Sequence, residues 1–297
     1  MGLLNTLRFI INHPLNKNNK IIALQRWLKW QIGSRLAQGA IAVNFVNEAK
    51  LLVEPGMTGA TGNVYTGLHE FEDMSFVLHM LRREDLFIDV GANIGAYSVL
   101  AAGVVGAQCI SLEPIPETFH KLMQNIKLNG LSGIVDARNI GVGREEGILR
   151  FTTTLDTMNH VYSETDSNSF DTIDIITSTL DIIAGDVHPQ LIKIDTEGFE
   201  GQVVAGAETV LTDDALAAVI VEVNERINLY GPNDLSLHKK MLDYGFSAFT
   251  YAPFERTLIS LDRVKRESGN IIYIRDIDRV NERLKTAVPF SVNTFRI

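Results

Sequence analysis

Short apolar runs separated by amphipathic stretches set the plan of this chain. Residues 87–90 read as a buried strand, 91–95 as a glycine turn and 96–105 as a helix. The alternation repeats, with strands over 108–113, 134–140, 191–194 and 217–223 and amphipathic helices over 118–129 and 201–211. A helix over 71–81 leads into the first strand, and one over 235–244 is stopped by Gly245. Strands over 246–251 and 270–274 read as an antiparallel edge hairpin, followed by a charged helix over 277–286. This order predicts an α/β fold around a mostly parallel sheet.

The first 64 residues follow another pattern and are expected to form an appendage to a main domain over 65–297. Residues 1–36 read as two helices broken at Asn12-His13-Pro14. In the second, Ile21, Leu24, Leu28 and Ile32 recur at helical spacing, with Trp27 near that stripe. The stripe suits a helix docked on the main domain or on a twin subunit, as in a homodimer. With Lys20, Arg26, Lys29 and Arg35 as a basic rim, it also suits peripheral contact with an anionic membrane or an acidic glycan. Residues 38–66 read as a small β element and a loop broken by Gly56, Gly59 and Gly62.

Charge narrows the partners. The chain carries −9, which argues against nucleic acid. Residues 1–36 hold six Lys and Arg and no acid, so +6 there leaves −15 for the remainder. No run is long enough to span a bilayer and the start lacks a signal-peptide layout, so a cytoplasmic location is expected. The single Cys109 reads as a small core residue.

Candidate chemistry begins at the turn Asp89-Val-Gly-Ala-Asn-Ile-Gly95. A turn between strand and helix offers backbone N–H groups at the carboxyl edge of a sheet. Asn93 replaces the middle glycine of a dinucleotide turn, no Lys or Arg occurs between Ile88 and Glu113, and Asp89 would repel phosphate. An ammonium beside Asp89 gains instead, by roughly 4 kcal/mol at about 4 Å and an effective dielectric near 20. S-adenosylmethionine (SAM) carries an ammonium and a sulfonium and suits the turn better than NAD or ATP. Glu113, followed by Pro114, lies 22 residues past Gly91, a spacing at which a carboxylate reaches ribose hydroxyls. Gly141 and Val142 form a turn on which an adenine can rest. Asp195, Glu197 and Glu222 end or follow two strands and converge at the same edge, as a base or substrate binder ahead of a metal site. Candidate bases are His160, Glu197 and Asp195, in that order; His160 sits in a polar excursion over 153–178 that reads as a lid. Tyr65 and Glu70 are expected at the substrate mouth, and Asp181 as the N-cap of a short helix.

The stretches Ile88-Asp-Val-Gly-Ala-Asn-Ile-Gly95, Glu113-Pro114, Thr179-Leu-Asp181 and Lys193-Ile-Asp-Thr-Glu-Gly-Phe-Glu200 together resemble the FkbM-type SAM-dependent methyltransferases. The resemblance covers residues 65–225. It implies a class I methyltransferase fold, a Rossmann-like seven-stranded sheet parallel except for one late strand. It also implies O-methylation of a small-molecule, sugar or glycan acceptor. By position, Asp89, Gly91, Ala92, Asn93 and Gly95 would hold the methionine part, Glu113 and Pro114 the ribose side, and Gly141 and Val142 the adenine. Asp195 would lie between donor and acceptor. Competing readings are a nucleic-acid methyltransferase on this fold, an NAD-dependent oxidoreductase and a non-enzymatic adaptor.

Overall fold

The computed structural model describes residues 2–37, 39–153, 159–162, 171–223, 234–261 and 269–297. Two helices, α1 (Leu3–Asn12) and α2 (Lys20–Leu36), precede a hairpin of β1 (Ile41–Asn44) and β2 (Lys50–Val53). Next come α3 (Thr58–Thr66), α4 (Phe71–Met80) and the strand β3 (Leu86–Val90). The turn after β3 enters α5 (Ala96–Ser98), which widens over Val99–Val105 into a π-helix where a plain α-helix is expected. Then follow β4 (Gln108–Leu112), α6 (Pro116–Leu128), β5 (Val135–Arg138), β6 (Gly141–Val142), β7 (Gly147–Thr152) and β8 (Thr172–Ser178). The second half holds α7 (Leu180–Ala184), β9 (Leu191–Ile194), α8 (Glu200–Ala205), α9 (Glu208–Thr212), β10 (Ala218–Val223), α10 (Asp234–Asp243), β11 (Ser247–Ala252), β12 (Thr257–Ser260), β13 (Gly269–Ile274) and α11 (Ile277–Thr286). A small hairpin, Ser291–Val292 with Phe295–Arg296, closes the chain.

The main sheet has the order β12-β11-β13-β10-β9-β3-β4-β5. The strands β5, β4, β3, β9 and β10 are parallel, and β13 runs antiparallel to both β10 and β11. The expected seven strands are present, and β12 adds an eighth at the edge. The hairpin partners do pair, but β13 lies inside and β11 outside it. From β3 the chain steps to β4 on one side and later to β9 on the other. That reversal opens a crevice at the carboxyl ends of β3 and β9. Side chains alternate across β3: Phe87 joins the core that also takes in Ile10, Leu15 and Trp30, whereas Ile88 and Val90 join a second core with Val203 and Leu211. Residues from the first 64 therefore share a core with one face of the main sheet.

Several local expectations are corrected. The glycines at 59 and 62 sit in helix α3 rather than a loop; Gly62 lets His69 pack against it, since a Cβ there would meet the imidazole at 2.2 Å. Residues 172–178 form β8, which pairs with β7 and β6 in a three-stranded sheet; Ile173 and Ile175 pack with Ile115, Phe151 and Val161. The rest of the expected lid, 154–158 and 163–170, lies outside the described residues, as do Asn224 and Glu225. The helix over 201–211 is split into α8 and α9 at Gly206, whose Cβ would meet the Gly143 carbonyl at 2.2 Å. Thr179, not Asp181, caps α7, accepting from the Ile182 N–H at 3.1 Å. Asp181 instead caps the helix created by the split, accepting from the N–H groups of Thr209 and Val210.

Along α2 three of the four residues of the expected stripe are turned outward, and Leu24 is half-buried. Ala23, Trp30 and Ser34 are buried, with Trp27 packed against the same core, whereas Ile21, Leu28 and Ile32 are exposed. The two tryptophans supply more contact area than the aliphatic stripe, so they take the docked face.

Candidate functional site

A cavity of about 250 Å³ opens at the crevice between β3 and β9. The register Val90↔Ile194 puts Gly91 beside Asp195. Gly91 has φ +79°, and a Cβ there would stand 1.8 Å from the Asp195 carbonyl oxygen. Only glycine lets the two strand ends approach this closely. The N–H groups of Gly91 and Ala92 both donate to the Leu112 carbonyl at 2.9 Å, which folds the turn back over the end of β4.

Asn93 has positive φ, and its side-chain oxygen accepts from the Ile94 N–H at 2.7 Å. That local bond is why asparagine suits a left-handed position. The Asn93 N–H donates to Glu113 Oε2 at 2.9 Å, and the Ile115 N–H donates to Glu113 Oε1 at 3.0 Å. Glu113 thus ties the turn after β4 to the turn after β3 while lining the cavity. Burial pushes its carboxyl up to about 7, partly offset by these two donors.

Asp89 is buried on the cavity wall. Its Oδ2 accepts from the Ser98 hydroxyl at 2.7 Å, and Oδ1 has no partner among the described residues. Burial raises its pKa. A buried, half-satisfied carboxylate on a cavity wall is the environment a cationic ligand relieves.

Although no Lys or Arg occurs between Ile88 and Glu113, the fold brings a cation, Lys193, to the cavity wall. It is buried, pairs with Asp195 Oδ2 at 2.5 Å and stands 4.6 Å from the centroid of the Tyr97 ring. Burial works against its charge, but Asp195, Glu70 and Asp89 outweigh that and hold it as an ammonium. A legible signal existed: Lys193 and Asp195 are two apart on one strand direction, so their side chains share a face. A lysine inside the otherwise apolar run 191–194 requires such a partner.

Around this pair lie more acids. Tyr97 donates to Glu70 Oε2 at 2.8 Å, and Asn270 donates to Glu70 and to Asp73. Burial and Glu70 push Asp73 up to about 7. Carboxylate oxygens of Asp195, Glu197 and Glu222 come within 4.8 Å of one another. Burial, then Asp195 and Glu197, push Glu222 up to about 10. Such a group can take a divalent cation or hold and exchange protons. Glu200 stabilises the turn before α8, accepting from the N–H groups of Thr196 and Gly198.

The cavity gathers Asp89, Gly91, Ala92, Asn93, Glu113, Pro114, Val142, Asp195, Glu197, Glu222 and Glu70 from the expected set. Gly95, Gly141, His160 and Tyr65 do not line it. Gly95 packs on Leu122, and Gly141 on Thr177. His160 is buried and its backbone pairs with Thr152; its neighbour Asn159 faces the cavity instead. The Tyr65 hydroxyl accepts from Gln31 at 3.1 Å and lines a second cavity, between the N-terminal helices and α3. Phe151 and Phe199 line the main cavity without having been singled out by sequence pattern.

The family model described as "Methyltransferase FkbM domain" matches residues 89–248. No curated protein matches the chain in sequence. Among solved structures, it is similar to Pyrococcus horikoshii TYW2 in complex with MeSAdo, at 16% identity and TM-score 0.42, covering 80% of this chain and 70% of that one. Precorrin-6y C5,15-methyltransferase from Geobacter metallireducens is similar at 13% identity and TM-score 0.39, with 70% and 86% covered. An RNA methyltransferase from Salinibacter ruber, in complex with S-adenosyl-L-homocysteine, is similar at 14% identity and TM-score 0.33, with 68% and 86% covered.

Proposed function

Because this chain belongs to the FkbM methyltransferase family, and so uses SAM as its methyl donor, we propose that it methylates a hydroxyl of a sugar, glycan or related small metabolite. The observation carrying this reading is the meeting, in one cavity, of the half-satisfied Asp89 with the acid group Asp195, Glu197 and Glu222. Asp89, a half-satisfied carboxylate among the residues lining the cavity, fits the ammonium of the donor. Glu113 fits the ribose, its two backbone donors fixing the carboxylate in place. When bound, the donor supplies an activated methyl group on sulfur.

The protein's own task is then to orient an acceptor oxygen and take its proton. Asp195 is engaged by the Lys193 ammonium in an ion pair. Burial and the neighbouring acids Asp195 and Glu197 favour the protonated form of Glu222, which suits it less to accept a proton. Glu197, beside both, is the proton acceptor. A carboxylate base with neighbouring acids suits a polyhydroxylated acceptor, and the net charge of −9 disfavours a polyanionic one.

The test is methyl transfer from labelled SAM to panels of sugars, amines and nucleic acids, with calorimetric titration of S-adenosylhomocysteine. Transfer to hydroxyl acceptors is expected. Glu197→Gln should lower kcat by about 10²–10⁴-fold with product affinity retained. Transfer only to nucleic acid, or an unchanged kcat in Glu197→Gln, overturns the reading.

A further inference from the structure

Helix α2 is apolar on two roughly opposite faces. Ala23, Trp27, Trp30 and Ser34, spaced four, three and four apart, make the docked face. Ile21, Leu28 and Ile32, spaced seven and four apart, make the other, with exposures of 73%, 52% and 55%; Leu36 ends the helix 79% exposed. Helix α1 packs on α2 and adds Leu3 and Leu4, 61% and 73% exposed. Scattered exposed leucines need no explanation, but apolar residues concentrated on one helix pair do.

The polar residues of the same segment are of one sign. Arg8, Lys17, Lys20, Lys29 and Arg35 are exposed, and residues 1–36 contain no Asp or Glu. Arg26 is the exception in placement, since it turns inward to donate to Asn16. The rest of the chain is acidic, so the molecule is an electrostatic dipole with its cationic end at the helix pair. A bare apolar strip flanked by Lys and Arg is the composition of a helix that lies in a lipid headgroup layer. Among the described residues no helix is long and apolar enough to cross a membrane, so the contact would be peripheral.

We propose that α1 and α2 form a docking surface for an anionic lipid bilayer, with Ile21, Leu28 and Ile32 entering the headgroup region and Lys20 and Lys29 held over lipid phosphates. The charge asymmetry sets the orientation, because an anionic surface attracts the helix pair and repels the acidic body behind it. A second copy of the chain is the weaker occupant: two-fold pairing of this face would set one +6 segment against another. This inference does not depend on the methyl acceptor, although docking would bring the cavity to acceptors carried in or on a membrane.

The experiment is flotation of the purified full chain with vesicles of phosphatidylcholine alone, or of phosphatidylcholine and phosphatidylglycerol in equal parts. Binding is expected only to the anionic vesicles, weakening as salt rises. The double substitution Lys20→Glu, Lys29→Glu should weaken it by at least about a hundredfold. Leu28→Ser with Ile32→Ser should weaken it by at least about tenfold. Both variants should keep the wild-type Tm and S-adenosylhomocysteine affinity, because these side chains touch neither the core nor the cavity. Equal partition onto neutral vesicles, or no binding to anionic ones, overturns the proposal. So does concentration-dependent self-association that Leu28→Ser with Ile32→Ser abolishes, which would assign the face to a second copy.

Discussion

The strand β3 and the helix α2 both present apolar residues on two sides, yet only one of them is covered on both. Phe87 on one face of β3 and Ile88 and Val90 on the other each enter a core, because parallel neighbours and packed layers enclose the strand completely. The helix meets the body of the protein on one side, through its tryptophans, and leaves Ile21, Leu28 and Ile32 in solvent. Periodicity says which residues share a face. It does not say which face finds a partner.

The largest expected effect falls at the enclosed site. Gly91→Ala drives a Cβ into backbone and forces a positive φ on an alanine, so donor affinity should fall more than about a hundredfold by calorimetry. Retained affinity would show that the junction of β3 with β9 opens more readily than described. On the docked face of α2, Trp30→Ala should cost about 3–5 kcal/mol in denaturant unfolding.

A pH titration of stability separates the two regions by sign. In the N-terminal region, burial pulls His13 from its ordinary value down to about 4. The folded state binds fewer protons there than the unfolded one, so stability falls on acidification from about 6.5 to 4, by up to roughly 3 kcal/mol. His13→Asn should remove that slope. At the cavity, Glu113 is raised to about 7, so the folded state binds more protons and this contribution falls as pH rises from about 4.5 to 7. Glu113→Gln should remove the opposing slope. Two variants that shift the stability profile in the same direction would contradict the assignment.

The smallest effect sharpens the comparison of glycines. Gly33, in α2, has nothing within 4 Å of its would-be Cβ, so Gly33→Ala should stabilise the fold by about 0.5–1 kcal/mol where Gly91→Ala disrupts it. The measurement is the urea midpoint of each variant.

Residues alone determined the strand–turn–helix at Asp89 to Gly95, its pairing with Glu113, the nearly parallel sheet and the arrival of Asp195, Glu197 and Glu222 at one edge. These follow from local periodicity and from the rule that parallel strands end on the same side. Tertiary structure decided the rest. It pressed Gly91 against Asp195, aimed Asp181 at α9 instead of its own helix, carried Tyr65 to a second cavity and left His160 off the first. It also set the charged Lys193 among the acids, a placement whose stability depends on groups distant in sequence, Glu70 and Asp89 as well as Asp195. Burial and electrostatic balance are sums over everything that packs nearby, and one stretch of sequence holds only its own part of that sum.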